Sequence, residues 1–318
     1  MDRPRYLNNP IGSVATLAKL LGESETGLSQ LASNSSRLVL PNRPEVKRDG
    51  SLRYTYRVGA ALKTVHRRIV DYIFYNVHYP VYIQGGVRSR DGTRDAITDA
   101  NIHASNRIII SEDVSNFFPS ISDSLVHEMW QYFFCFSPDV ASVLVRLTTR
   151  QGFLYQGAST SSYIANLIFW DVEPELATLL REKGYTYSRF VDDVTVSTNR
   201  SMSNSDKRRV IAMIYGMFMK KGCKPNRRKH KLYTLREPAM VHNLNVNAGR
   251  ATLNKKERAR IRAAVKECSL RFPGEGSRAD YLDLFQSTRG RVARLKRLHP
   301  GEGARLMAQL LKVKPNAR

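Results

Sequence analysis

The stretch YTYSRFVDDVTVST, at residues 185–198, decides the fold that this sequence predicts. Apolar and β-branched residues flank two adjacent acidic residues, Asp192 and Asp193, which is the pattern of two short strands joined by a tight turn. A tight hairpin lets both carboxylates project near its tip, although successive side chains of a strand point to opposite faces. The stretch therefore predicts a β-hairpin with two carboxylates at one end.

A third acidic residue, Asp113, ends another apolar run, RIIISED at residues 107–113. Carboxylates are seldom buried without partners, and neighbouring carboxylates repel each other, but a divalent cation removes that cost. Magnesium accepts carboxylate oxygens and keeps positions open for substrate phosphates. Two such ions about 3.5–4 Å apart can activate a hydroxyl and stabilise a leaving pyrophosphate. The alternative is that Asp192 and Asp193 mark an exposed hairpin turn.

The charge of the chain indicates its partner. Among 318 residues, 51 are Lys or Arg and 28 are Asp or Glu, which gives a formal net charge of +23. Such an excess predicts a polyanionic partner, and nucleic acid is the first choice. A ribosome-associated protein or one bound to an anionic membrane surface remains open on charge alone.

Other features of composition concern the compartment. No run of 18 or more apolar residues occurs, so no membrane span is expected, and the N-terminal residues lack the apolar region of a secretory signal. The three cysteines, Cys135, Cys223 and Cys268, lie far apart and match neither a disulfide framework nor a zinc spacing. We expect a cytoplasmic protein without a membrane partner.

Hydrophobic spacing predicts the order of elements along the chain. Helices are expected at residues 13–33 with a break at Gly22, and at about 59–78, 94–105, 122–134, 138–148 and 204–221. Asp49-Gly50 predicts a hairpin turn, and the chain after Lys255 is predicted to be helical and basic. The order is a helical module, a mixed α and β core, and a basic helical end.

Several segments together resemble the reverse transcriptases, and in particular the bacterial retron type. The segments are EDVSNFFPSI (112–121), LYQGASTSSYIAN (154–166), FVDD (190–193), GCKPNRRKHKLY (222–233), HNLNVNAGRATLNKKERARIR (242–262) and RGRVARLKRLHPGEGARL (289–306). They look like the family's motifs A, B, C and D, its primer grip and its thumb. Motif B has Ser162 where the family has proline.

The resemblance implies an α+β fold, the right-hand polymerase with fingers, palm and thumb. The implied divisions are an N-terminal helical module at 1–40, fingers at 41–106, a palm at 107–250 with a fingers insertion around 122–155, and a helical thumb at 251–318. It implies an RNA-directed DNA polymerase that uses two Mg²⁺ ions, or Mn²⁺ as a substitute. The implied catalytic residues are Asp113, Asp192 and Asp193, and Val114 joins them as a metal contact.

The resemblance also assigns residues to the incoming deoxynucleoside triphosphate. Phe118 is the candidate steric gate against a ribose 2′-hydroxyl, although Phe117 and Phe118 are also candidates for the core. Nucleotide-binding roles are further implied for Arg94, Gln156, Gly157 and Lys231. Arg94 is the candidate phosphate contact, with a solvated surface charge as the alternative, and Lys231 is a candidate general acid or phosphate contact.

Nucleic-acid contacts are implied for a larger set of residues. The set is His103, Arg258, Arg262, Arg291, Arg294, Lys296 and Arg297. Helix packing is the alternative role for His103, and a solvated surface is the alternative for each cation. Phosphate contacts of this kind would give affinity without sequence information.

Two retron signatures are only partly present. The fingers signature Asn-Ala-x-x-His is DANIH at residues 99–103, and Val-Thr-Gly before the thumb is VHN at residues 241–243. The implied activity is copying of a partner non-coding RNA into DNA, in bacterial cytoplasm, as antiphage defence with a separate effector protein. The product would be an RNA–DNA molecule. The alternatives are another defence-associated or abortive-infection reverse transcriptase with untemplated synthesis, and a non-catalytic RNA-binding scaffold.

Overall fold

One sheet organises the computed structural model, which describes residues 2–47, 50–234 and 238–315. Its strands are β7 (Ile83–Gln84), β8 (Ile108–Ser115), β11 (Thr186–Phe190), β12 (Asp193–Thr198), β13 (Lys224–Pro225) and β14 (Lys231–Tyr233). The order is β13-β8-β12-β11-β7, and β14 also pairs with β8. β8, β12 and β11 are antiparallel neighbours, while β7 runs parallel to β11.

The remaining strands form small ribbons. They are β1 (Arg5–Tyr6), β2 (Val39–Pro41), β3 (Glu45–Val46), β4 (Leu52–Arg53), β5 (Tyr56–Val58), β6 (Val77–His78), β9 (Thr149–Arg150), β10 (Phe153–Leu154), β15 (Met240–Val241) and β16 (Leu244–Asn245). The pairs are β1 with β6, β2 with β5, β3 with β4, β9 with β10 and β15 with β16.

Helices cover the rest of the described fold. They are α1 (Val14–Leu20), α2 (Glu25–Leu38), α3 (Ala60–Tyr72), α4 (Ala96–Ile102), α5 (Phe117–Ser120), α6 (Asp123–Glu128), α7 (Pro138–Thr148), α8 (Ser161–Leu167), α9 (Glu173–Glu182), α10 (Asn204–Lys220), α11 (Lys255–Glu275), α12 (Ala279–Leu298) and α13 (Pro300–Leu311). Short 3₁₀ helices lie at Phe74–Asn76 and Arg227–Lys229, and a π-helix lies at Met129–Phe133.

Local chemistry explains where several helices begin. Ser13, Ser24, Ser137 and Ser203 each accept a hydrogen bond from a backbone N–H in the first turn of the helix that follows. At Ser203 the backbone N–H also donates to the side chain of Asp206, three residues later, and this reciprocal pair of bonds is a capping box. These caps satisfy N–H groups that have no partner within the helix.

The chain divides into two compact units. The first contains Met1–Asp99 and Ile108–Leu232, and the second contains Ala100–Arg107 and Tyr233–Arg318. In the second unit, Ser105 N–H donates to the carbonyl of Val246, and Ala251 N–H donates to Asn101 Oδ1. These bonds explain why residues 100–107 group with the C-terminal part. The four-part division inferred from the sequence stays a prediction.

Most predicted elements occur with altered ends. The predicted helix at 13–33 is divided into α1 and α2 near Gly22, and the predicted helix at 59–78 ends at Tyr72. The predicted helix at 122–134 begins as α6 and continues as the π-helix. The 45–53 hairpin forms, but Asp49 of its predicted turn lies outside the described residues. Within the described chain, no helix has the length and apolar character to span a membrane.

Candidate active site

The sheet brings two of the predicted carboxylates directly opposite each other. Asp113 near the end of β8 pairs with Asp193 at the start of β12, and Val114 N–H donates to the carbonyl of Asp192 at 3.1 Å. Side chains that face each other across antiparallel strands have Cβ atoms about 4.5–5.5 Å apart. Asp113 is 3% exposed, while Asp192 and Asp193 are half-buried. The structure thus brings all three predicted carboxylates to one end of the central strands.

The turn that carries Asp192 has a strained backbone. Phe190 pairs with Asp193, so Val191 and Asp192 form a two-residue hairpin loop. Val191 has φ +60°, and the first position of such a loop normally takes glycine when φ is positive. A β-branched residue in this conformation costs about 1–3 kcal/mol, so surrounding contacts have to hold it.

The environment of Asp192 opposes its ionised form. Burial is the largest cause and the negative charge of Asp113 is the next, and together they raise the pKa of Asp192 above its ordinary value of 3.8. The positive charges of Lys229 and Arg53 act in the opposite direction. Asp192 and Asp113 therefore repel each other, and nearby cations partly compensate for this repulsion.

Asp113 is bonded by two side chains of the segment after β13. Asn226 Nδ2 donates to Asp113 Oδ1 at 3.0 Å, and Lys229 Nζ lies 2.8 Å from Asp113 Oδ2. Asn226 directly precedes the 3₁₀ helix Arg227–Lys229, and residues three apart in such a helix lie on one side. Burial opposes the charge of Lys229, but Asp113, Asp193 and Asp192 outweigh it and raise the Lys229 pKa.

This geometry favours Lys229 over the predicted Lys231 as the lysine of the site. Lys231 begins β14 and is exposed, while Lys229 is the lysine that contacts a carboxylate of the site. The sequence motif places both lysines in one basic run, and only the 3₁₀ turn selects between them. Sequence reasoning missed Lys229, although its spacing of three from Asn226 is a usable signal.

The chemistry of the three carboxylates suits a hard divalent cation. In the part of the chain that the structure describes, no three His, Cys, Asp or Glu side chains already form a group that could hold a metal ion. Asp113 is engaged with Asn226 and Lys229 instead. Carboxylate oxygens are the ligands that magnesium takes, and a cation would relieve the repulsion that raises the pKa of Asp192. The residues therefore fit the metal that the fold implies.

A second buried carboxylate anchors the same segment from the other face of β8. Glu112 is 1% exposed, accepts a hydrogen bond from Tyr215 Oη at 2.9 Å, and lies 2.6 Å from His230 Nδ1. Burial and the bond to Glu112 raise the pKa of Tyr215 to about 12. Adjacent residues of a strand point to opposite faces, so Glu112 and Asp113 hold residues 226–230 from two sides.

The two phenylalanines after β8 have different surroundings. Phe117 is 3% exposed and stacks on Phe169, with ring centroids 5.9 Å apart. Phe118 is half-buried and packs against the edge of the core. The expectation that one of the pair is a core residue is confirmed for Phe117, which leaves Phe118 as the ring nearer the surface.

Gln156 and Gly157 contact the ribbon strand β5. Tyr56 N–H donates to the carbonyl of Gln156 at 2.8 Å, and Gly157 has φ +126°. A Cβ at position 157 would overlap the carbonyl oxygen of Tyr56. A nucleotide-binding role was predicted for this glycine, and in the structure the backbone that it approaches closely is that of Tyr56.

Ser162, the departure from the motif B proline, has a structural role of its own. Its Oγ donates to the carbonyl of Gly86 at 2.5 Å, and Asn166 Nδ2 donates to the carbonyl of Gly85 at 3.0 Å. The serine therefore fastens the Gly85-Gly86 loop to α8.

Arg94 does not have the geometry predicted for a phosphate contact. Its guanidinium donates to the carbonyls of Tyr79, Pro80 and Ile83, at 2.9, 2.5 and 3.0 Å. Burial lowers the pKa of Arg94 from its ordinary value. Since these carbonyls occupy both terminal nitrogens, Arg94 closes a loop and is not assigned to the triphosphate.

A cavity of about 750 Å³ lies beside the Gly157 turn in the first unit. Cations line much of it, and they are Arg57, Lys63, Arg67 and Arg88. Its one acidic residue, Asp71, pairs with Arg88 at 2.8 Å. The positive charge of a further arginine, Arg53 on β4, acts to lower the pKa of Asp192. The sequence patterns did not predict this cavity.

The residues predicted to contact nucleic acid fall into three groups. His103 is 0% exposed, which favours the packing role over the predicted RNA contact. Arg258 and Arg262 both bond Glu302, at 2.8 and 2.6 Å. Arg291 is half-buried and contacts Ser287 at 3.4 Å, while the remaining cations, Arg294, Lys296 and Arg297, are exposed on α12.

The antiparallel sheet with carboxylates on adjacent central strands is the palm of a nucleic-acid polymerase. The chain belongs to the retron reverse transcriptases. It is 30% identical over 318 residues to the retron Se72 reverse transcriptase of Salmonella heidelberg (strain 579083-10), covering 99% of this chain and 83% of that protein. It is also 30% identical over 320 residues to the retron Ec48 reverse transcriptase of Escherichia coli, covering 97% and 78%.

A further retron relative agrees with this family. The retron Mx65 reverse transcriptase of Myxococcus xanthus is 27% identical over 277 residues, which cover 82% of this chain and 61% of that protein. No protein-family profile matches the chain. A solved structure of telomerase from Candida albicans, in complex with a TWJ fragment of telomeric RNA, has 13% identity and a TM-score of 0.47, covering 92% of this chain and 59% of that one. That score is too low to support an inference.

Membership of the family confirms three expectations from the sequence. The chain is a retron-type reverse transcriptase, its fold is of the α+β polymerase class, and it is an RNA-directed DNA polymerase. Enzymes of this family depend in general on divalent metal ions.

Proposed function

We propose that Asp113, Asp192 and Asp193 are the catalytic carboxylates, and that with Val114 they bind two Mg²⁺ ions, or Mn²⁺ in their place. The observation that carries the proposal is the register in which Asp113 and Asp193 pair directly, with Asp192 next in the turn. The mutual repulsion of Asp113 and Asp192 supports it, because bound cations would relieve that repulsion.

Bound divalent ions would activate the 3′-hydroxyl of a primer and stabilise the departing pyrophosphate. The residues of the chain set up that chemistry by holding carboxylates at fixed positions. Lys229 and Asn226 orient the carboxylate of Asp113, and Glu112 fixes the segment that carries them. Lys229 takes the place of Lys231 in the proposed site.

The deoxynucleoside triphosphate would lie between the carboxylates and the fingers residues of the first unit. Phe118 would exclude a ribose 2′-hydroxyl, and the Gln156-Gly157 turn would shape the pocket wall. Arg53 replaces Arg94 as the proposed triphosphate contact, since its charge reaches Asp192 and an arginine fork suits phosphate oxygens.

RNA would be held by exposed cations through its phosphates. The cationic cavity beside Gly157 supports a contact with the template in the first unit, and Arg294, Lys296 and Arg297 on α12 support contacts in the second. Contacts of this type give affinity that falls steeply with salt. Arg258 and Arg262 would contribute less, because Glu302 neutralises part of their charge.

The proposed biological role is copying of a partner non-coding RNA into DNA as part of antiphage defence, with a separate effector protein, in the bacterial cytoplasm. In this proposal residues 41–106 are fingers, 107–250 the palm with a fingers insertion around 122–155, and 251–318 the thumb, after a helical module at 1–40. The relatives' retron names support the RNA-copying part.

The proposal is tested with protein purified from cells that carry its native locus. Co-purifying nucleic acid is sequenced, and the protein is then given an RNA template, a primer, deoxynucleoside triphosphates and Mg²⁺. We expect DNA complementary to the RNA from the natural chain and from Asp139→Asn, an exposed aspartate on α7, and none from Asp193→Asn. Untemplated homopolymer, or equal synthesis by all three proteins, would reject the proposal.

A further inference from the structure

Arg189 on β11 lies two residues before the strained turn and is fully buried. Its exposure is 0%, and all five N–H groups of its guanidinium have acceptors. Nε and Nη2 bind the two oxygens of Glu173, each at 2.7 Å. The remaining acceptors are the carbonyl and side-chain oxygens of Asn166 and the carbonyl of Val191.

The bond to Val191 acts on the peptide that carries Asp192. Arg189 Nη1 donates to the Val191 carbonyl at 2.9 Å, and that carbonyl belongs to the peptide group joining Val191 to Asp192. Val191 has φ +60°, a conformation that a β-branched residue adopts only under constraint. Fixing this peptide fixes the direction in which the Asp192 side chain leaves the turn.

The other contacts hold Arg189 itself in place. Tyr187 Oη donates to Glu173 Oε1 at 2.8 Å, and the Arg189 guanidinium lies 5.1 Å from the ring centroid of Phe169. Asn166, which accepts two of its bonds, donates in turn to the carbonyl of Gly85. The guanidinium thus links α8, α9 and the turn through its hydrogen bonds.

We propose that Arg189, held by Glu173, is a positioning residue that maintains the strained Val191-Asp192 turn in the geometry needed to bind the divalent ions. The alternative is a buried ion pair that only stabilises the fold. The proposal deepens the proposed function and relies on it for the activity measurement.

A matched control exists in the same unit. Lys221 is 6% exposed and bonds Glu128 at 2.9 Å and Asp171 at 2.8 Å, with no bond to the hairpin. Lys221→Met therefore removes a buried cation without touching the turn. In Arg189→Lys the charge opposite Glu173 remains. The three N–H donors of lysine cannot bond all five acceptors, so some of these hydrogen bonds are lost.

Three quantities are measured for the natural chain, Arg189→Lys and Lys221→Met, at a temperature where all are folded. They are kcat, the KM for deoxynucleoside triphosphate, and the affinity for Mn²⁺ followed by its electron paramagnetic resonance signal. For Arg189→Lys we expect kcat and Mn²⁺ affinity to fall about 10- to 100-fold with KM changed about twofold or less, as for residues that orient metal ligands. Lys221→Met should keep kcat and Mn²⁺ affinity within about twofold on the same basis.

A double variant separates positioning from folding. In Arg189→Met with Glu173→Met both charges leave the interior together, and such replacements are often neutral for stability. We expect it to fold but to unfold at a lower temperature than the natural chain, because Tyr187 Oη and the acceptors on Asn166 and Val191 lose their partners, and to lose kcat and Mn²⁺ affinity at temperatures where it is folded. Failure of this variant to fold, or unchanged Mn²⁺ affinity in Arg189→Lys, would overturn the proposal. If the natural chain neither binds Mn²⁺ nor extends a primer, the proposed function itself fails.

Discussion

Lys229 Nζ lies 2.8 Å from Asp113 Oδ2, so the carboxylate near the end of β8 has a lysine as its immediate ionic partner. Lys231, two residues later, is exposed on β14. We predict that Lys229→Met lowers the rate of primer extension about 10-fold or more, because it removes a group that orients Asp113. Lys231→Met is the matched control and should retain most of the rate. Equal loss in both variants, in a single-turnover assay, would contradict the assignment.

Phe118 and Phe117 provide a second matched pair. We predict that Phe118→Ala incorporates ribonucleotides at least about 10-fold more readily relative to deoxynucleotides, if the ring excludes the 2′-hydroxyl, because one steric contact is worth about 1–3 kcal/mol. Phe117→Ala should instead destabilise the fold by about 3–5 kcal/mol, since Phe117 is buried against Phe169. Incorporation ratios and unfolding in urea check both outcomes. The gate is rejected if Phe118→Ala keeps its preference for deoxynucleotides.

Gly157 tests the contact between the motif B turn and β5. Gly157→Ala should lower the free energy of unfolding, both by the strain of φ +126° and by overlap with the Tyr56 carbonyl, and it should reduce primer extension. Gly152→Ala is the control, because Gly152 has φ +89° but no heavy atom within 4 Å of an added Cβ. The loss of unfolding free energy in Gly152→Ala therefore measures the backbone strain alone, which is about 1–3 kcal/mol. Equal stability of the two variants would show that β5 does not approach as closely as the structure indicates.

His66 on α3 makes stability depend on pH. Burial lowers the pKa of His66 to about 4, while its Nε2 lies 2.7 Å from the carbonyl of Leu147. The unfolded chain takes up a proton at this residue near pH 6.5 and the folded chain does so only near 4, so stability is lost as the pH falls between these values. The difference corresponds to about 3 kcal/mol of unfolding free energy.

The check on His66 is urea unfolding from pH 7.5 to pH 4. His66→Asn should show a shallower fall in the free energy of unfolding over this range, whatever its stability at pH 7.5. His127→Asn, which changes a half-buried histidine on α6, should keep the slope of the natural chain. An unchanged slope in His66→Asn would contradict the assignment of this pH dependence to His66.

Local sequence patterns predicted the strands that carry the three carboxylates. The roles of several other side chains depend on contacts between residues far apart in sequence, which those patterns do not show. The apolar run before Asp113 and the apolar residues flanking Asp192 and Asp193 predicted β8 and the β11–β12 hairpin, because strands buried on both faces are rich in apolar and β-branched residues. His103 and Arg94 were predicted to contact ligands, but His103 is fully buried and Arg94 binds three backbone carbonyls. A side chain committed to the backbone of a distant loop leaves no local signal.

The same limit applied to Arg189. In sequence it is one polar residue in an alternating strand, and its partner Glu173 begins a helix 16 positions earlier. Only the packing of α9 against β11 brings the two together in the interior. The β15–β16 hairpin, by contrast, depends on neighbouring residues alone, since His242 and Asn243 both have positive φ and form its two-residue turn.

The most direct test of the central claim is the single-turnover rate of first-nucleotide addition by Asp113→Asn on an RNA template with Mg²⁺. The substitution keeps the size of the side chain and removes the charge that faces Asp193. The account predicts a loss of at least about 100-fold relative to Asp139→Asn, as expected when a group that binds catalytic metal is neutralised. A rate for Asp113→Asn within a few-fold of the control, in a variant that folds normally, would contradict it.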